Sequence, residues 1–348
     1  MMPAPKPRLR AEWESQSGVL MAWPHEGTDW RDNLAEVQSV YVRIAVEITR
    51  RQPLLMLVPD SARCHRIRGQ VAAAGGRADA LCCVDCAYDD TWTRDYGPLA
   101  VDAAGGTRLV DFRFNGWGGK FDARQDDAVN AILQERDVRA PASLHRSCLV
   151  MEGGALETDG RGTLLATLGS VVDESRNPGL SRLQLEILLR QELGIERFLW
   201  LTRGTLSGDD TGGHIDTLAR FADSRTIVHV TVPAEDPDHA EVRAMIEQLE
   251  SLRDPHGTPY RLVALPPAGV HRDPDGRRLP ATYANFLIIN GAVLAPLYGV
   301  PQDAAALQVL RSVFPQRQVV GVDCRALIRQ NGSLHCATLQ LPAGVSVC

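Results

Sequence analysis

Four short polar segments of the sequence combine acids, glycines and aromatic residues where an ordinary surface loop would need none of them. They are residues 90–98, 151–154, 208–216 and 331–338. Each segment abuts a strand-like run of apolar residues, so we expect all four to lie at strand ends around one cavity.

His214 and Asp216, in the third segment, are spaced for shared chemistry. They lie two residues apart at the start of a strand-like stretch that ends near Phe221, and alternation along a strand puts both side chains on one face. An imidazole beside a carboxylate can transfer protons and anchor a cation. A surface strand with a hydrogen-bonded His and Asp gives the same pattern, and the pair taken alone favours that structural interpretation.

Cys336, in the fourth segment, is a candidate nucleophile. It follows His335 directly, so in an extended segment the two side chains point to opposite faces and His335 is not expected to be its base. A nucleophilic thiol here needs a partner from elsewhere in the sequence, and His214 is the obvious candidate. An inert buried thiol is the alternative, which a lone cysteine favours.

The other cysteines indicate neither a metal site nor a disulfide framework. Eight cysteines are spread irregularly through 348 residues, so reduced thiols are expected. Cys83 and Cys86 have the spacing of a zinc knuckle or redox pair, but no second Cys/His pair with matching spacing follows, and buried small thiols are the preferred interpretation. Phosphate-loop, dinucleotide-binding and His-Glu-x-x-His motifs are absent. No metal and no cofactor are predicted.

Composition excludes several classes of partner. The net charge is −6, and the only basic cluster, Lys6–Arg10, is expected to be a solvated arm, so no nucleic-acid partner is predicted. A mildly acidic protein suits a small cationic substrate better than an anionic one. No apolar run approaches the length of about eighteen residues that a membrane span needs, and the N-terminus lacks a signal-peptide pattern. A cytoplasmic protein with no membrane partner is therefore predicted.

Helical and strand-like patterns alternate along the chain. Apolar spacing predicts a first helix through Val37, Tyr41 and Ile48, and Ser181 with Gln184 forms a capping box. Later helices are predicted to begin near residues 62, 126, 181, 238 and 302, and strands at 54–58, 109–114, 163–168, 226–232, 286–289 and 318–322. A strand-and-helix unit therefore recurs about every sixty residues, which hints at a cyclic α/β arrangement. No linker divides residues 1–348 into separate domains.

Taken together and in this order, several motifs resemble those of the agmatine deiminase family, which also includes bacterial peptidyl-arginine deiminase-like proteins. They are Ala22-Trp23-Pro24, Trp92-Thr93-Arg94-Asp95 with Gly97-Pro98, Phe114-Asn115 with Trp117-Gly118-Gly119, Glu152-Gly153-Gly154, Ser175-Arg176-Asn177-Pro178, His214-Ile215-Asp216 and His335-Cys336. The motifs span nearly the whole chain. The resemblance implies a pentein fold, an α/β propeller with pseudo-fivefold symmetry and a central active site.

The resemblance also implies a reaction, in which a Cys thiolate attacks a guanidinium carbon, ammonia leaves, and water resolves the covalent thiouronium. It implies Cys336 as nucleophile, His214 as proton-transferring group, Glu152 as the acid that orients the imidazole, and Asp95 and Asp216 as the carboxylates that bind the guanidinium. Paired charge-assisted hydrogen bonds suit that planar, permanently charged group. Both binding acids are expected to wait unpaired in the empty site, so neutralising either should change stability little.

The walls of the implied cavity are less sharply defined. Trp92 and Trp23 are candidates because an aromatic face suits both methylenes and a cation, and plain core packing is the alternative for each. Asn115 and Trp117 are weaker candidates. This sequence has Asn331-Gly332-Ser333 where agmatine deiminases commonly carry a glycine triplet, so the group recognised at the far end of the substrate stays open.

Agmatine is the favoured substrate, which would give N-carbamoylputrescine in a metal-free step of polyamine synthesis. A peptidyl-arginine deiminase is the alternative within the family. From other classes, a non-catalytic guanidinium-binding module and a cysteine hydrolase of amides stay open, although an amide hydrolase needs an oxyanion hole rather than two acidic anchors. The sequence also leaves assembly into a homo-oligomer open.

Overall fold

Five of the six sheets that the structure describes share one connectivity, and the fold is mixed α/β. The computed structural model describes residues 6–136, 138 and 142–347. In that part of the chain, each of the five sheets contains an antiparallel strand pair, followed by a helix and by a third strand that pairs in parallel with the second. The recurring unit expected from the sequence is therefore present as ββαβ.

The strands are β1 Arg8–Leu9, β2 Gln16–Ala22, β3 Leu54–Val58, β4 Leu81–Asp85, β5 Leu99–Ala103, β6 Gly106–Arg113, β7 Ser143–Val150, β8 Glu157–Thr158, β9 Thr163–Thr167, β10 Arg197–Leu201, β11 Ala219–Asp223, β12 Thr226–His229, β13 Arg261–Ala264, β14 His271–Arg272, β15 Arg278–Leu279, β16 Leu287–Ile289, β17 Ala292–Leu297, β18 Gln318–Asp323 and β19 Leu339–Pro342. The α-helices are α1 Leu34–Thr49, α2 Ala62–Ala73, α3 Thr93–Tyr96, α4 Gly116–Gly119, α5 Arg124–Glu135, α6 Leu168–Val171, α7 Arg182–Leu193, α8 His239–Ser251 and α9 Gln302–Val313. Short 3₁₀ turns lie at Asp29–Asn33, Ala78–Ala80, Gly153–Ala155, Ile215–Thr217 and Leu327–Gln330.

The last strand, β19, returns to the sheet of β2. The units are β19–β2–α1–β3, β5–β6–α5–β7, β8–β9–α7–β10, β11–β12–α8–β13 and β16–β17–α9–β18. In the first of them, β19 runs antiparallel to β2, with Leu339 opposite Leu20. Strand β1 extends the second sheet beside β5, and β4 extends the first sheet beside β3. Among the described residues, β14 and β15 pair only with each other.

The sixty-residue period holds for only part of the chain. The predicted strands overlap β3, β6, β9, β12, β16 and β18, and helices begin within two residues of all five predicted starts. However, the helix at residue 62 is α2, the connection to the additional strand β4, and the helix of the first ββαβ unit is α1. The unit helices begin at residues 34, 124, 182, 239 and 302, so the first interval is longer than the other three.

Apolar faces of the helices cover the sheets. Val37, Tyr41 and Ile44 of α1 are fully buried, as is the whole of β3, which is the burial that their apolar spacing predicts. The capping box at α7 is confirmed, because the Ser181 hydroxyl accepts from the Gln184 backbone N–H and the Gln184 side chain accepts from the Ser181 N–H at 2.9 Å.

Two expectations about the periphery are wrong. The basic cluster at residues 6–10 is not a free arm, because β1 pairs with β5, and Arg8 and Arg10 both bind Asp102. Cys64 and Cys83 are not reduced thiols but form a disulfide between α2 and β4, with their Cα atoms 5.9 Å apart. The parallel pairing of β4 with β3 brings Cys83 to the helix that precedes it in the chain, a proximity that residue spacing does not reveal.

In the described part of the chain, no helix is long and apolar enough to cross a membrane.

Candidate active site

One cavity of about 240 Å³ brings together the candidate nucleophile and one of the predicted binding acids. Cys336, Asp95, Trp92 and Trp117 lie on its wall. The other acidic residues that line it are all aspartates: Asp29, Asp89, Asp90, Asp122, Asp126 and Asp210. Among the described residues, no Lys, Arg or His side chain lines this cavity. Its field therefore favours a ligand that carries positive charge.

Cys336 lies in a turn three residues before β19, with only 6% of its surface exposed. Its Sγ is 3.2 Å from Asn285 Nδ2 and 3.7 Å from Asp216 Oδ2. Burial, with Asp216 and Asp95 adding to it, raises the pKa of the thiol well above its usual value. Cys336 is therefore held as a thiol in these surroundings.

His214 occupies a position between two carboxylates. Its Nδ1 is 3.6 Å from Asp95 Oδ1, and its Nε2 is 3.6 Å from Glu152 Oε2. Burial alone would lower the pKa of this imidazole, but Asp95 and Glu152 outweigh it and raise the pKa to about 9. His214 is therefore an imidazolium at neutral pH, able to give a proton to a leaving group.

The prediction that His214 and Asp216 begin a strand is wrong. Gly212 and Gly213 have φ angles near +90°, which reverse the backbone so that a one-turn 3₁₀ helix, Ile215–Thr217, follows His214. The strand β11 begins only at Ala219.

Gly154 is the point on which three candidate side chains converge. A Cβ added there would lie 2.7 Å from Asp95 Oδ1, 2.7 Å from His214 Nδ1 and 3.1 Å from Asp216 Oδ2. The Gly154 N–H also donates to Asp95 Oδ1 at 3.0 Å. The absence of a side chain at this position makes room for the acids and the imidazole to meet, which explains why a glycine is needed there.

Asp95 is oriented by hydrogen bonds from two directions. Besides the Gly154 N–H, it accepts from Trp117 Nε1 at 3.0 Å. Trp117 has a left-handed backbone, with φ of +56°, an unfavourable conformation for a bulky residue and one that is typical of functional sites. Burial raises the pKa of Asp95 to about 6, and the neighbouring acids Asp216 and Glu152 add to the rise while His214 opposes it. Trp117 therefore has a more direct place in the site than the sequence suggested.

Asp216 is paired rather than unpaired, contrary to expectation. Its Oδ2 is 2.7 Å from His335 Nδ1, and the other ring nitrogen of His335 is 2.7 Å from Glu12 Oε2. Burial would raise the pKa of Asp216, but the hydrogen bond and charge of His335 outweigh it and lower the pKa. His335 and Cys336 lie in a turn rather than an extended segment, so the argument from strand alternation does not apply to them.

Glu152 is anchored by an arginine that sequence reasoning did not single out for a role. Arg176 Nε lies 2.8 and 2.9 Å from the two carboxylate oxygens of Glu152, and Arg176 Nη2 donates to the Thr211 carbonyl at 2.6 Å. Both side chains are almost completely buried. The only signal in the sequence was the motif Ser175-Arg176-Asn177-Pro178, and it did not indicate the partner.

The two candidate tryptophans have different places. Trp92 lines the cavity and packs on Trp30 with ring centroids 5.4 Å apart; a Cβ at Gly332 would lie 2.2 Å from its ring. Trp23 is fully buried, makes an edge contact with Tyr41 and is not among the residues that line the cavity. The prediction that Trp23 forms part of the cavity wall is therefore wrong, because the chain after β2 continues its pairing into the core, with the Trp23 N–H donating to the Leu57 carbonyl at 2.9 Å.

Asn285, which lies just before β16, was missed altogether. It is fully buried and contacts the sulfur of Cys336. The surrounding sequence, Tyr283-Ala284-Asn285-Phe286, offers no spacing or composition that distinguishes it from the end of an ordinary core strand.

Within the described residues, no group of three or more His, Cys, Asp or Glu side chains is arranged to hold a metal ion. The expectation of a reaction without a metal stays a prediction.

Comparison with known proteins shows the family of this chain. The family model of Porphyromonas-type peptidyl-arginine deiminases matches residues 8–342. Agmatine deiminase of Stutzerimonas stutzeri is 34% identical, over 96% of this chain and 95% of that protein. A Porphyromonas gingivalis protein solved as a candidate arginine deiminase is 45% identical, with a TM-score of 0.92 over 98% of this chain and 100% of that one.

A C. jejuni agmatine deiminase with a Cys-to-Ser change and substrate bound is 31% identical, with a TM-score of 0.89 over 98% of this chain and 97% of that one. Such enzymes are penteins, so the predicted fold class is confirmed as a mixed α/β pentein fold. The resemblance noted in the sequence motifs is likewise confirmed. The chain belongs to the Porphyromonas-type peptidyl-arginine deiminase family.

Proposed function

We propose that this protein is a guanidine deiminase that converts agmatine and water to N-carbamoylputrescine and ammonia. The observation that carries the proposal is the cavity in which Cys336 and Asp95 lie together; among the described residues, aspartate is the only acidic or basic residue type on its wall. A guanidinium at the floor and an amine near the mouth both suit such a lining.

The charge of the lining favours agmatine over free arginine. Agmatine is a dication at neutral pH, whereas arginine brings an α-carboxylate that the aspartates would repel. The relatives named as agmatine deiminases, from S. stutzeri and C. jejuni, support the same choice. A peptidyl arginine, with neutral amides at its far end, is the alternative that the family description supports.

Binding is assigned to two acids and one aromatic ring. Asp95 and Asp216 grip the planar guanidinium by charge-assisted hydrogen bonds, because both carboxylates surround Gly154 and both act on the Cys336 thiol. Trp92 packs against the methylenes of the substrate from the cavity wall.

The first half of the reaction forms the covalent intermediate. The positive charge of the bound guanidinium offsets the burial and the two carboxylates that keep Cys336 protonated. Cys336 therefore loses its proton to solvent in the complex, and the thiolate forms. Its lone pair attacks the guanidinium carbon and a C–S bond forms. His214, charged at neutral pH, gives its proton to one amino nitrogen, the C–N bond breaks, and ammonia leaves behind a thiouronium.

The second half regenerates the thiolate. His214, now neutral, takes a proton from a water molecule that attacks the thiouronium carbon. The C–S bond then breaks, its electron pair returns to Cys336, and the ureido product releases its extra proton to solvent. Glu152 is assigned the role of orienting His214, since Arg176 fixes that carboxylate on the far side.

The arrangement of the five ββαβ units is inferred from the positions of the site residues. The five units are inferred to close into one pseudo-fivefold propeller domain around a central cavity, because the site residues lie at unit boundaries: Asp95 before β5, Glu152 after β7, His214 after β10 and Cys336 before β19. We further propose that the enzyme needs no metal. Loss of activity on chelation that added metal restores would contradict the metal-free reaction.

One assay tests the reaction and the substrate together. Ammonia and ureido product are measured with agmatine, free arginine, methylated arginines and an arginyl peptide. We expect both products from agmatine with the highest kcat/KM. A preference for the arginyl peptide would assign the peptidyl-arginine reaction instead. Binding of agmatine without ammonia release would leave a guanidinium-binding module and contradict the proposed enzyme.

A further inference from the structure

The entrance of the cavity is bounded by five segments of the chain, which together we call the rim. They are residues 27–29, 89–92, 117–126, 210–211 and 330–332. Asp29 and Asp122 in the rim are exposed, whereas Cys336 and Asp95 are almost completely buried. A substrate must therefore pass the rim to reach the nucleophile and the binding acid.

Hydrogen bonds join the first segment of the rim to the last one and to the second. Gln330 Nε2 donates to the Asp29 carbonyl at 2.6 Å. On the other side, Trp30 Nε1 donates to Thr91 Oγ1 at 2.8 Å. These three segments therefore cannot move apart without the loss of a hydrogen bond.

The remaining links close the rim. Asn331 Nδ2 donates to Asp210 Oδ2 at 2.7 Å, and Lys120 Nζ donates to the Asp210 carbonyl. The backbone and side-chain amides of Gln125 donate to the Asp89 carboxylate at 2.7 and 2.6 Å. Each of the five segments is therefore bonded to the next, and the entrance cannot widen unless one of these links breaks.

Asn331 supplies its link at the point where the sequence departs from the glycine triplet of agmatine deiminases. Its φ of +62° lies in the left-handed region, which asparagine and glycine both adopt. Arg277 Nη1 donates to Asn331 Oδ1, so the NH₂ group of Asn331 must face Asp210. The side chain is thus held in the orientation that the link to Asp210 requires.

We infer that Asn331 is a specificity-determining residue, because its link to Asp210 holds the rim at a width that admits an unbranched guanidine and discriminates against an arginyl residue within a peptide. This inference deepens the proposed function and rests on it for the identity of the substrate.

Branching next to the guanidinium is the property that the rim detects. The α-carbon of an arginyl residue carries two amide branches and lies about 6 Å from the guanidinium carbon along an extended side chain. The branches therefore follow the guanidinium closely into the entrance. A link of the rim has to break to let them pass, and a hydrogen bond to a carboxylate is worth about tenfold or more in an equilibrium.

The test compares two neutral-ended guanidines, so that the charge of the aspartates does not decide the result. N-acetylagmatine and N-acetylarginine methylamide share the guanidinium, the methylenes and the acetylated nitrogen, and they differ only in one amide branch. Ammonia release is measured for both. In the wild type, kcat/KM should favour N-acetylagmatine by about a hundredfold or more.

Asn331→Gly removes the link and keeps the left-handed backbone, since glycine adopts that conformation freely. The preference for N-acetylagmatine should fall by about tenfold, while kcat/KM on N-acetylagmatine itself stays within about threefold of the wild type. Asn290→Gly is the matched control: Asn290 is half-buried, its side chain makes two hydrogen bonds to the Gln16 backbone, and it does not line the cavity. Its preference should equal that of the wild type.

Three results would overturn the inference. They are a wild type that prefers the branched substrate, an unchanged preference in Asn331→Gly, and an equal fall in Asn290→Gly, which would show that general loosening explains the change.

The inference and the proposed function fail separately. If agmatine is turned over and Asn331→Gly keeps the wild-type preference, the proposed function stands and Asn331 does not set the width of the entrance. If the wild type releases no ammonia from any guanidine, the proposed function falls, and the width is measured by alkylation of Cys336 with iodoacetamide and with the branched N-tert-butyliodoacetamide. Asn331→Gly should then reduce the preference for iodoacetamide by about tenfold, and an unchanged preference would overturn the inference.

Discussion

Asp95 and Asp216 are both buried acids of one site, yet their surroundings shift their pKa values in opposite directions. The pKa of Asp95 is raised to about 6, so its ionised form costs stability as pH rises above the usual value of 3.8. The pKa of Asp216 is lowered, so its ionised form adds stability above that value and loses it as pH falls. The two isosteric amides should therefore differ in their effect on stability.

We expect Asp216→Asn to lose about 3 kcal/mol or more, because His335 is left buried beside a neutral amide. Asp95→Asn should stay within about 1 kcal/mol of the wild type at neutral pH, because removal of an unfavourable charge offsets the loss of one acceptor. Both variants should lose at least about tenfold in kcat/KM on agmatine. Thermal midpoints at several pH values, measured beside kcat/KM, check this; wild-type catalysis with collapsed midpoints would make the acids purely structural.

The charge state of His214 sets the alkaline limit of the reaction. Asp95 and Glu152 overcome the effect of burial and raise its pKa to about 9, so the proton needed by departing ammonia is present through neutral pH and lost as pH passes about 9. We therefore expect kcat/KM to fall as the pH rises above about 9. A profile that keeps rising well above pH 9 would show that the imidazolium is not required.

The sequence predicted the candidate catalytic and binding residues more accurately than the residues that hold them in position. Cys336 and Asp95 were predicted for one cavity and lie in it. Asp216 was expected to be unpaired, but its partner His335 comes from a turn far along the chain. Long-range partners such as Arg176 and Asn285 leave no periodic trace in a sequence, because contact between distant residues depends on how whole sheets are arranged.

The short 3₁₀ turn Gly153–Ala155 contains two neighbouring glycines that contact different parts of the protein. A Cβ at Gly153 would lie 2.2 Å from the Arg94 backbone carbonyl, whereas the three atoms nearest to a Cβ at Gly154 belong to the side chains of Asp95, His214 and Asp216. We expect Gly153→Ala to reduce stability, since backbone cannot yield easily. Gly154→Ala should keep more of its stability but lose about a hundredfold in kcat/KM through displaced side chains.

Thermal midpoints and kcat/KM of the two glycine variants, measured in parallel, give the check. An active Gly154→Ala would contradict the convergence of the acids and the imidazole on this position.

Long helices were predicted at this scale more accurately than the turns that hold the site. The apolar spacing of α1, α8 and α9 is a local property, so their positions follow from the sequence. The segment after His214 was predicted as a strand, but positive φ at Gly212 and Gly213 produces a 3₁₀ turn. Glycine permits that geometry without specifying it.

Across the whole molecule, Glu12 links parts of the chain that lie far apart in sequence. Its carboxylate lies 2.8 Å from Arg220 Nη2 and 2.7 Å from His335 Nε2, and it accepts from the Ile288 N–H at 2.6 Å. Glu12→Gln is expected to cost about 3–5 kcal/mol, because buried charges lose their partner. Glu14→Gln is the matched control: Glu14 pairs with a partly exposed Arg8, and its loss should cost about 1 kcal/mol or less.

Denaturant unfolding of both variants measures the difference. Equal stabilities for Glu12→Gln and Glu14→Gln would show that the buried network does not hold the ends of the chain to the rest of the protein.

The architecture was predictable in its class but not in its details. Motif order indicated the family and the pentein fold, and the match over residues 8–342 confirms the family. The period of sixty counted α2 as a unit helix, because periodicity cannot tell a repeated unit from an insertion of similar length. The disulfide between Cys64 and Cys83 depends on sheet order, which residue spacing does not contain.

The proposed mechanism depends most on the thiol of Cys336, and ammonia release from agmatine by Cys336→Ser tests that mechanism most directly. A neutral hydroxyl is a poor nucleophile at a resonance-stabilised guanidinium, so kcat/KM should fall by about a thousandfold or more while the thermal midpoint stays near that of the wild type. Cys148→Ser, which changes an exposed free cysteine, should keep wild-type activity. Near-wild-type ammonia release by Cys336→Ser would contradict the proposal that Cys336 is the nucleophile.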